Sequence, residues 1–284
     1  MQLQKLVFNI FTFLSPLLLD AQKTLVLEGT VIDEANKVTL AYVNIGVVGT
    51  KLGTIANQNG AFQLYFEAGM DEEQIVRFSH LGYEAKDFTV ASLRLLNGQA
   101  IRLKKIGITL ATVEVRPTLS ATKIIGHEKI NTSRVTNFSI AKKPNQNLGA
   151  AIGRRFNIGN KASQLAAFSF YIGGNDFDTT RFRVNIYNIK NGRPHQLLNR
   201  ANIVTTVVDQ RRGWVRVDLT SQQIFVKKDV VVAIEWIEHS QKGRILKLPI
   251  TMPSFGTHFY KYGSQDKWKR FRGMSTAMTL TVKH

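Results

Sequence analysis

The chain has 284 residues, 44% apolar and 20% charged, a globular composition that excludes wholesale disorder and a multi-span membrane protein. It has no cysteine, which removes disulfides, thiolate metal sites and cysteine nucleophiles. The net charge of +18 is uneven: residues 1–106 carry ten cations and ten anions, whereas residues 107–284 carry 28 and ten, so the whole excess lies in the second part.

At the N-terminus, Lys5 precedes an apolar run from Leu6 to Leu19, and Asp20-Ala21-Gln22 follows. A charged start, an apolar middle and a small-residue exit predict a secretory signal peptide over residues 1–22, cleaved after Ala21 or Gln22. An uncleaved anchor is the alternative, but about 14 apolar residues fall short of the roughly 20 that span a bilayer. No later segment has that length and apolarity, so no transmembrane span is expected after processing.

From Leu25 the pattern becomes short β-type runs broken by turn signals. Leu25 to Ile32 reads as a strand, Asp33 to Lys37 as a polar turn, and Ala41-Tyr42-Val43-Asn44-Ile45 alternates with period two. Gly49 to Gly53 turns the chain, and the Asn59-Gly60 pair predicts a hairpin leading into Ala61 to Phe66. Gln74 to Ser79, Asp87 to Val90 and Ile101 to Leu103 complete a small sandwich in which no helix of useful length is needed. Gly53, Gly60 and Gly82 suit turns of unusual φ, while Val31, Val43, Ile45, Phe62 and Leu64 face inward by their alternation.

These residues also carry a resemblance. Gly29-Thr30-Val31-Ile32-Asp33, Leu40 to Ile45, Gly53-Thr54 with Asn57, Gly60, Phe62 and Leu64, and Phe78-Ser79-His80-Leu81-Gly82-Tyr83 match in order and spacing. The segment resembles the carboxypeptidase-regulatory-like domain, a transthyretin-like β-sandwich of Gram-negative envelope proteins. The resemblance implies a non-catalytic accessory fold over residues 23–106, with one departure: Asn57 stands where that family usually has Asp.

Residues 107–147, rich in Ser, Thr, Asn and Lys, read as a linker. The β pattern resumes over residues 148–284, with strands expected at 150–156, 165–172, 182–189, 203–208, 214–219, 230–237 and 278–282. The fold class is therefore all-β: two antiparallel β-sandwiches, the first transthyretin- or Ig-like, the second basic and jelly-roll-like.

Chemistry-bearing motifs are sparse. No nucleophile elbow, phosphate loop or paired metal-binding histidines occurs, and His127-Glu128 are adjacent rather than spaced to face one ion, so no cofactor is expected. Asp176 and Asp178 in Gly173-Gly174-Asn175-Asp176-Phe177-Asp178 are candidate calcium ligands, or carboxylates that cap a turn. The ligand-binding candidates are Tyr260, Tyr262, Lys267, Trp268, Lys269, Arg270 and Arg272, where aromatics interleave with cations that stack on sugars and pair with anions. An ordinary hairpin with buried rings and solvated cations explains the same pattern. Arg211-Arg212 and Gly153-Arg154-Arg155 are further basic clusters.

The composition and leader thus predict an exported, non-catalytic binding or scaffolding module. Its basic sandwich would contact an anionic glycan, lipopolysaccharide or an acidic envelope protein, in the periplasm, at the outer membrane or after release. A neutral carbohydrate-binding module and a hydrolase with a dispersed site are the alternatives; export argues against a nucleic acid partner.

Overall fold

The computed structural model describes residues 25–66, 69–106, 121–139 and 147–284. The expected signal peptide lies outside the described residues, as do residues 107–120 and 140–146 of the expected linker.

The N-terminal part comprises β1 (Leu25–Asp33), β2 (Asn44–Val47), β3 (Gly53–Ile55), β4 (Ala61–Phe66), β5 (Ile75–Ser79), β6 (Lys86–Thr89) and β7 (Ala100–Leu103), with one six-residue helix, α1 (Val90–Leu95). Two sheets, ordered β4-β1-β7 and β3-β2-β5-β6, close over one core. Alternation dictates the packing: Leu27, Val31, Phe62 and Leu64 from the first sheet meet Ile45, Val76 and Phe78 from the second and Val43 just before β2, with the Phe62 and Phe78 rings edge to face at 5.3 Å. The Asn59-Gly60 turn forms, with Gly60 at φ 76°, but it joins β3 and β4 of different sheets and so is a turn between sheets where a hairpin was expected. The pairing is not wholly antiparallel, since β1 and β7 run parallel. That crossover carries α1, capped by Thr89 and burying Val90 and Leu93; six residues are too few to register a helical period in the sequence.

The C-terminal part begins inside the expected linker. Strands β8 (Thr122–His127) and β9 (Val135–Asn137) pair with later strands, and Phe138 is fully buried in the C-terminal core. Residues 107–147 are therefore not all connector. The strands escaped the pattern because β8 is mostly exposed at a sheet edge and β9 has three residues, so neither alternates audibly. Then follow β10 (Ala151–Phe156), β11 (Ser163–Ile172), β12 (Gly174–Asn175), β13 (Thr179–Lys190), β14 (Arg193–Leu197), β15 (Ile203–Val208), β16 (Gly213–Asp218) and β17 (Phe225–Val226). The chain ends with β18 (Val230–His239), β19 (Leu246–Thr251), β20 (Thr257–Lys261), β21 (Lys269–Arg272), β22 (Ser275–Thr276) and β23 (Met278–Lys283).

A seven-stranded sheet, β14-β13-β18-β10-β20-β21 with β15 also on β13, faces a five-stranded sheet, β16-β11-β23-β8 with β17 on β11. Phe170 and Phe182 meet across the gap at 5.3 Å, as do Phe156 and Phe168 at 6.2 Å. Inner-face residues of β18 (Val230, Val232, Ile234, Trp236) and of β23 (Met278, Leu280, Val282) fill the core between them.

The two parts are in contact. Strands β2 and β3 approach the outer face of the seven-stranded sheet, where Glu235 is wholly buried. Glu235 accepts from Arg183 Nε at 3.1 Å and from Asn185 at 2.9 Å, and Lys261 Nζ stands 3.7 Å away. Arg183 in turn donates to the Tyr42 carbonyl at 2.9 Å and to the Asn44 side chain. Ser264 donates to the Ile45 carbonyl at 2.6 Å. This contact corrects the reading of Gly53: the residue sits in β3 without a positive φ, and a Cβ there would lie 2.8 Å from Ser264 Oγ. Close approach, not turn geometry, requires the glycine.

Candidate anion-binding cleft

Strand β10 positions the principal side chain. Its sequence Ala151-Ile152-Gly153-Arg154-Arg155-Phe156 alternates so that Arg154 shares the inward face with Ile152 and Phe156, while Arg155 points the other way and pairs with Asp229 at 2.7 Å. Arg154 therefore enters the end of the sandwich and is only 8% exposed. It lines a cleft of about 1000 Å³ walled by the end of β8, by β10 and by the 251–257 segment between β19 and β20.

No carboxylate meets Arg154 among the described residues. Its Nη1 reaches the Thr276 carbonyl at 3.5 Å, the guanidinium lies 5.8 Å over the Phe156 ring, and Nε has no partner. Burial pushes its pKa down to about 10, which leaves it a cation at neutral pH. A buried charge normally costs several kcal/mol unless paired, so an uncompensated guanidinium lining an open cleft is poised for an anion.

The surroundings add polar groups, and Asp229, the acidic side chain of the lining, is paired with Arg155. His258 on β20 is the cross-strand neighbour of Arg154, is 3% exposed, and has no partner at Nδ1. Burial and then the Arg154 charge push its pKa down to about 4, so it is neutral at pH 7. Thr276 Oγ1 is also buried without a partner. His127 at the end of β8 contacts Thr251 Oγ1 at 2.8 Å, and its pKa is lowered by burial and by the Arg154 and Lys129 charges. Ser254 Oγ and Ser275 Oγ lie 2.5 Å apart, and Phe255 stands fully exposed at the mouth.

The residues expected to bind ligand form the neighbouring hairpin, β20–β21, and divide by exposure. Tyr260 is buried in the core and donates to the Asn137 carbonyl at 2.6 Å, so its ring is not available for stacking on a ligand. Burial also raises its pKa. Tyr262 packs on Tyr260 at 4.4 Å and carries Lys269 Nζ 4.5 Å over its ring. Trp268 packs against Tyr187 at 5.7 Å and Phe259 at 6.5 Å. Alternation thus directs the aromatic side chains into packing. The cations remain on the surface: Lys267, Lys269, Arg270 and Arg272 are exposed, with Arg270 donating to the Gly192 carbonyl at 3.2 Å. Arg272 is the register partner of Thr257, which places the end of this ribbon at the cleft rim.

Of the expected calcium ligands, Asp176 caps backbone and Asp178 pairs with a side-chain amide. Asp176 Oδ1 accepts the backbone N–H groups of Arg244 and Ile245 at 2.7 and 2.6 Å, and Asp178 accepts from Gln210 at 3.2 Å. Backbone donors aimed at that oxygen oppose a cation there.

Sequence reasoning noted Gly153-Arg154-Arg155 only as a basic cluster. The available signal was the alternation that puts Arg154 on the face of Ile152 and Phe156.

Residues 27–115 match the CarboxypepD_reg-like domain family. This segment is a CarboxypepD_reg-like domain. The family match does not extend over the strands that build the cleft. No match was found among curated proteins. Among solved structures, the chain is similar to the cysteine protease and lectin-like domains of Cwp84, a surface layer associated protein of Clostridium difficile, at 9% identity and a TM-score of 0.40, covering 84% of this chain and 50% of that one. It is also similar to a D312A form of BcpA, the major pilin subunit of Bacillus cereus, at 11% identity and a TM-score of 0.20, covering 89% and 69%. The chain thus spans about half the length of the first of these structures.

Proposed function

We propose that this protein is an exported, non-catalytic binding module of the cell envelope whose basic C-terminal sandwich captures an anionic ligand. The observation that supports this reading above others is Arg154, buried, charged and without a carboxylate, lining a 1000 Å³ cleft. Of the exposed cations of β20–β21, Arg272 stands at the rim opposite Thr257 and attracts anions within a Debye length of about 8 Å at physiological salt. The CarboxypepD_reg-like domain serves as a rigid platform docked on the back of the binding sheet.

Titration calorimetry of the full chain against acidic and neutral glycans and lipopolysaccharide, at low and high salt, tests the reading. Arg154→Gln is expected to weaken anion binding at least about tenfold, the loss of one charge-assisted contact of about 1.4 kcal/mol or more. Binding that survives Arg154→Gln but disappears when Lys267, Lys269, Arg270 and Arg272 are neutralised would move recognition to the ribbon. No anion binding at any salt would leave a protein-docking scaffold.

A further inference from the structure

We infer that the cleft is built for the carboxylate of an acidic sugar, a uronic acid within an oligosaccharide, rather than for a phosphate group. This rests on the anion-binding reading above and assigns its ligand class.

Charge count is the first step. A phosphate monoester carries close to two negative charges and is ordinarily met by several cations or a row of backbone N–H groups. The lining of this cleft offers one unpaired guanidinium, Arg154, since Arg155 is paired with Asp229, and burial with the Arg154 and Lys129 charges opposes a positive charge on His127. One guanidinium in the lining matches one carboxylate, whose two oxygens fit the planar fork.

The remainder of the lining argues for a saccharide around that carboxylate. Thr251, Ser254 and Thr257 line the site; Thr251 Oγ1 already meets His127 and Ser254 Oγ meets Ser275 Oγ, and a hydroxyl with one donor and two acceptor positions keeps capacity for a sugar hydroxyl. Phe255, fully exposed at the mouth, presents an apolar face of the kind on which a sugar ring packs, although a solvent-facing Phe otherwise forfeits its burial energy. The cleft is open to solvent, so a glycan longer than one residue can extend from it.

The test is an NMR titration of the full chain with glucuronate, its methyl ester, glucose, acetate and inorganic phosphate, with thermal unfolding to establish that each variant is folded. Glucuronate is expected to bind, the ester and glucose to bind at least tenfold more weakly, and acetate to bind more weakly than glucuronate. Arg154→Gln should abolish the preference for acid over ester, whereas Arg154→Lys, which keeps charge but loses the fork, should retain part of it. Phe255→Ala should weaken glucuronate and leave acetate unchanged. Phosphate binding tighter than glucuronate, still dependent on Arg154, would overturn the carboxylate assignment while leaving the anion-binding reading intact. Acetate equal to glucuronate would overturn the sugar assignment alone. Absence of any Arg154-dependent binding would overturn both.

Discussion

His258 couples the cleft to acidity. Its pKa is about 4 in the folded protein against an ordinary value of about 6.5, because burial and the adjacent Arg154 both oppose a second positive charge. Between those values the unfolded chain holds a proton at this position that the folded chain does not, so stability rises with pH. The stabilisation is complete above pH 6.5 and lost as the pH falls towards 4. A difference of this size corresponds to about 3 kcal/mol from one residue, and His127, lowered for the same reasons, acts in the same direction. Urea unfolding at pH 7 and pH 4.5 is expected to show a clear drop in midpoint that His258→Gln reduces; an unchanged pH dependence in the variant would place the effect elsewhere. The same residue illustrates what single positions conceal. Histidine and arginine are surface residues by type, and only their phase within β20 and β10, shared with Tyr260 and with Ile152 and Phe156, marks them as inward.

At the scale of elements, period two made most of the fold legible. The strands expected around 150–156, 165–172, 182–189, 203–208, 214–219, 230–237 and 278–282 are all present, as β10, β11, β13, β15, β16, β18 and β23, because each has one wet and one dry face or is buried on both. The failures share a cause, which is that the deciding contact lies outside the element. Tyr42 fits a strand by alternation yet adopts φ 60° in a turn, where its hydroxyl donates to Glu238 at 2.9 Å and accepts from Arg181 at 2.6 Å. Strand β8 has no dry face of its own and exists because β23 lends it a ladder. The aromatic–cation ribbon was ambiguous for the same reason, since only the position of β10 beside β20 decides which face is core. Gly53→Ala tests such an outside constraint. Its added Cβ must displace Ser264 or the Ile45 carbonyl, each within 2.9 Å, at an expected cost of about 1–3 kcal/mol in chemical unfolding. A neutral effect would mean that β3 and the Ser264 loop separate without cost.

For the whole molecule, the decisive structure is the ionic contact that joins the two parts. Burial alone would raise the pKa of Glu235, but the charges of Arg183 and Lys261 and hydrogen bonds from Arg183 and Asn185 hold it below the usual carboxylate range, so it is ionised within the interface. Arg183 is shared: it neutralises Glu235 on its own sheet and binds the Tyr42 carbonyl and Asn44 side chain across the contact. Ile55 extends the union into the core, since it belongs to β3 yet packs in the C-terminal cluster. Neither part then presents a complete surface without the other, and calorimetry of the full chain is expected to give one unfolding transition rather than two. Glu235→Gln leaves Arg183 and Lys261 as buried cations with one neutral acceptor, a change that costs about 3–5 kcal/mol when a buried pair is broken. For a chain of this size that corresponds to a fall in Tm of roughly 10 °C. Because the excess charge falls on the seam, the variant should also separate into two transitions, the CarboxypepD_reg-like domain melting apart from the basic sandwich. A single transition at an unchanged Tm would mean that shape and apolar packing alone hold the parts together, and that the buried ions are incidental to the rigidity the cleft depends on.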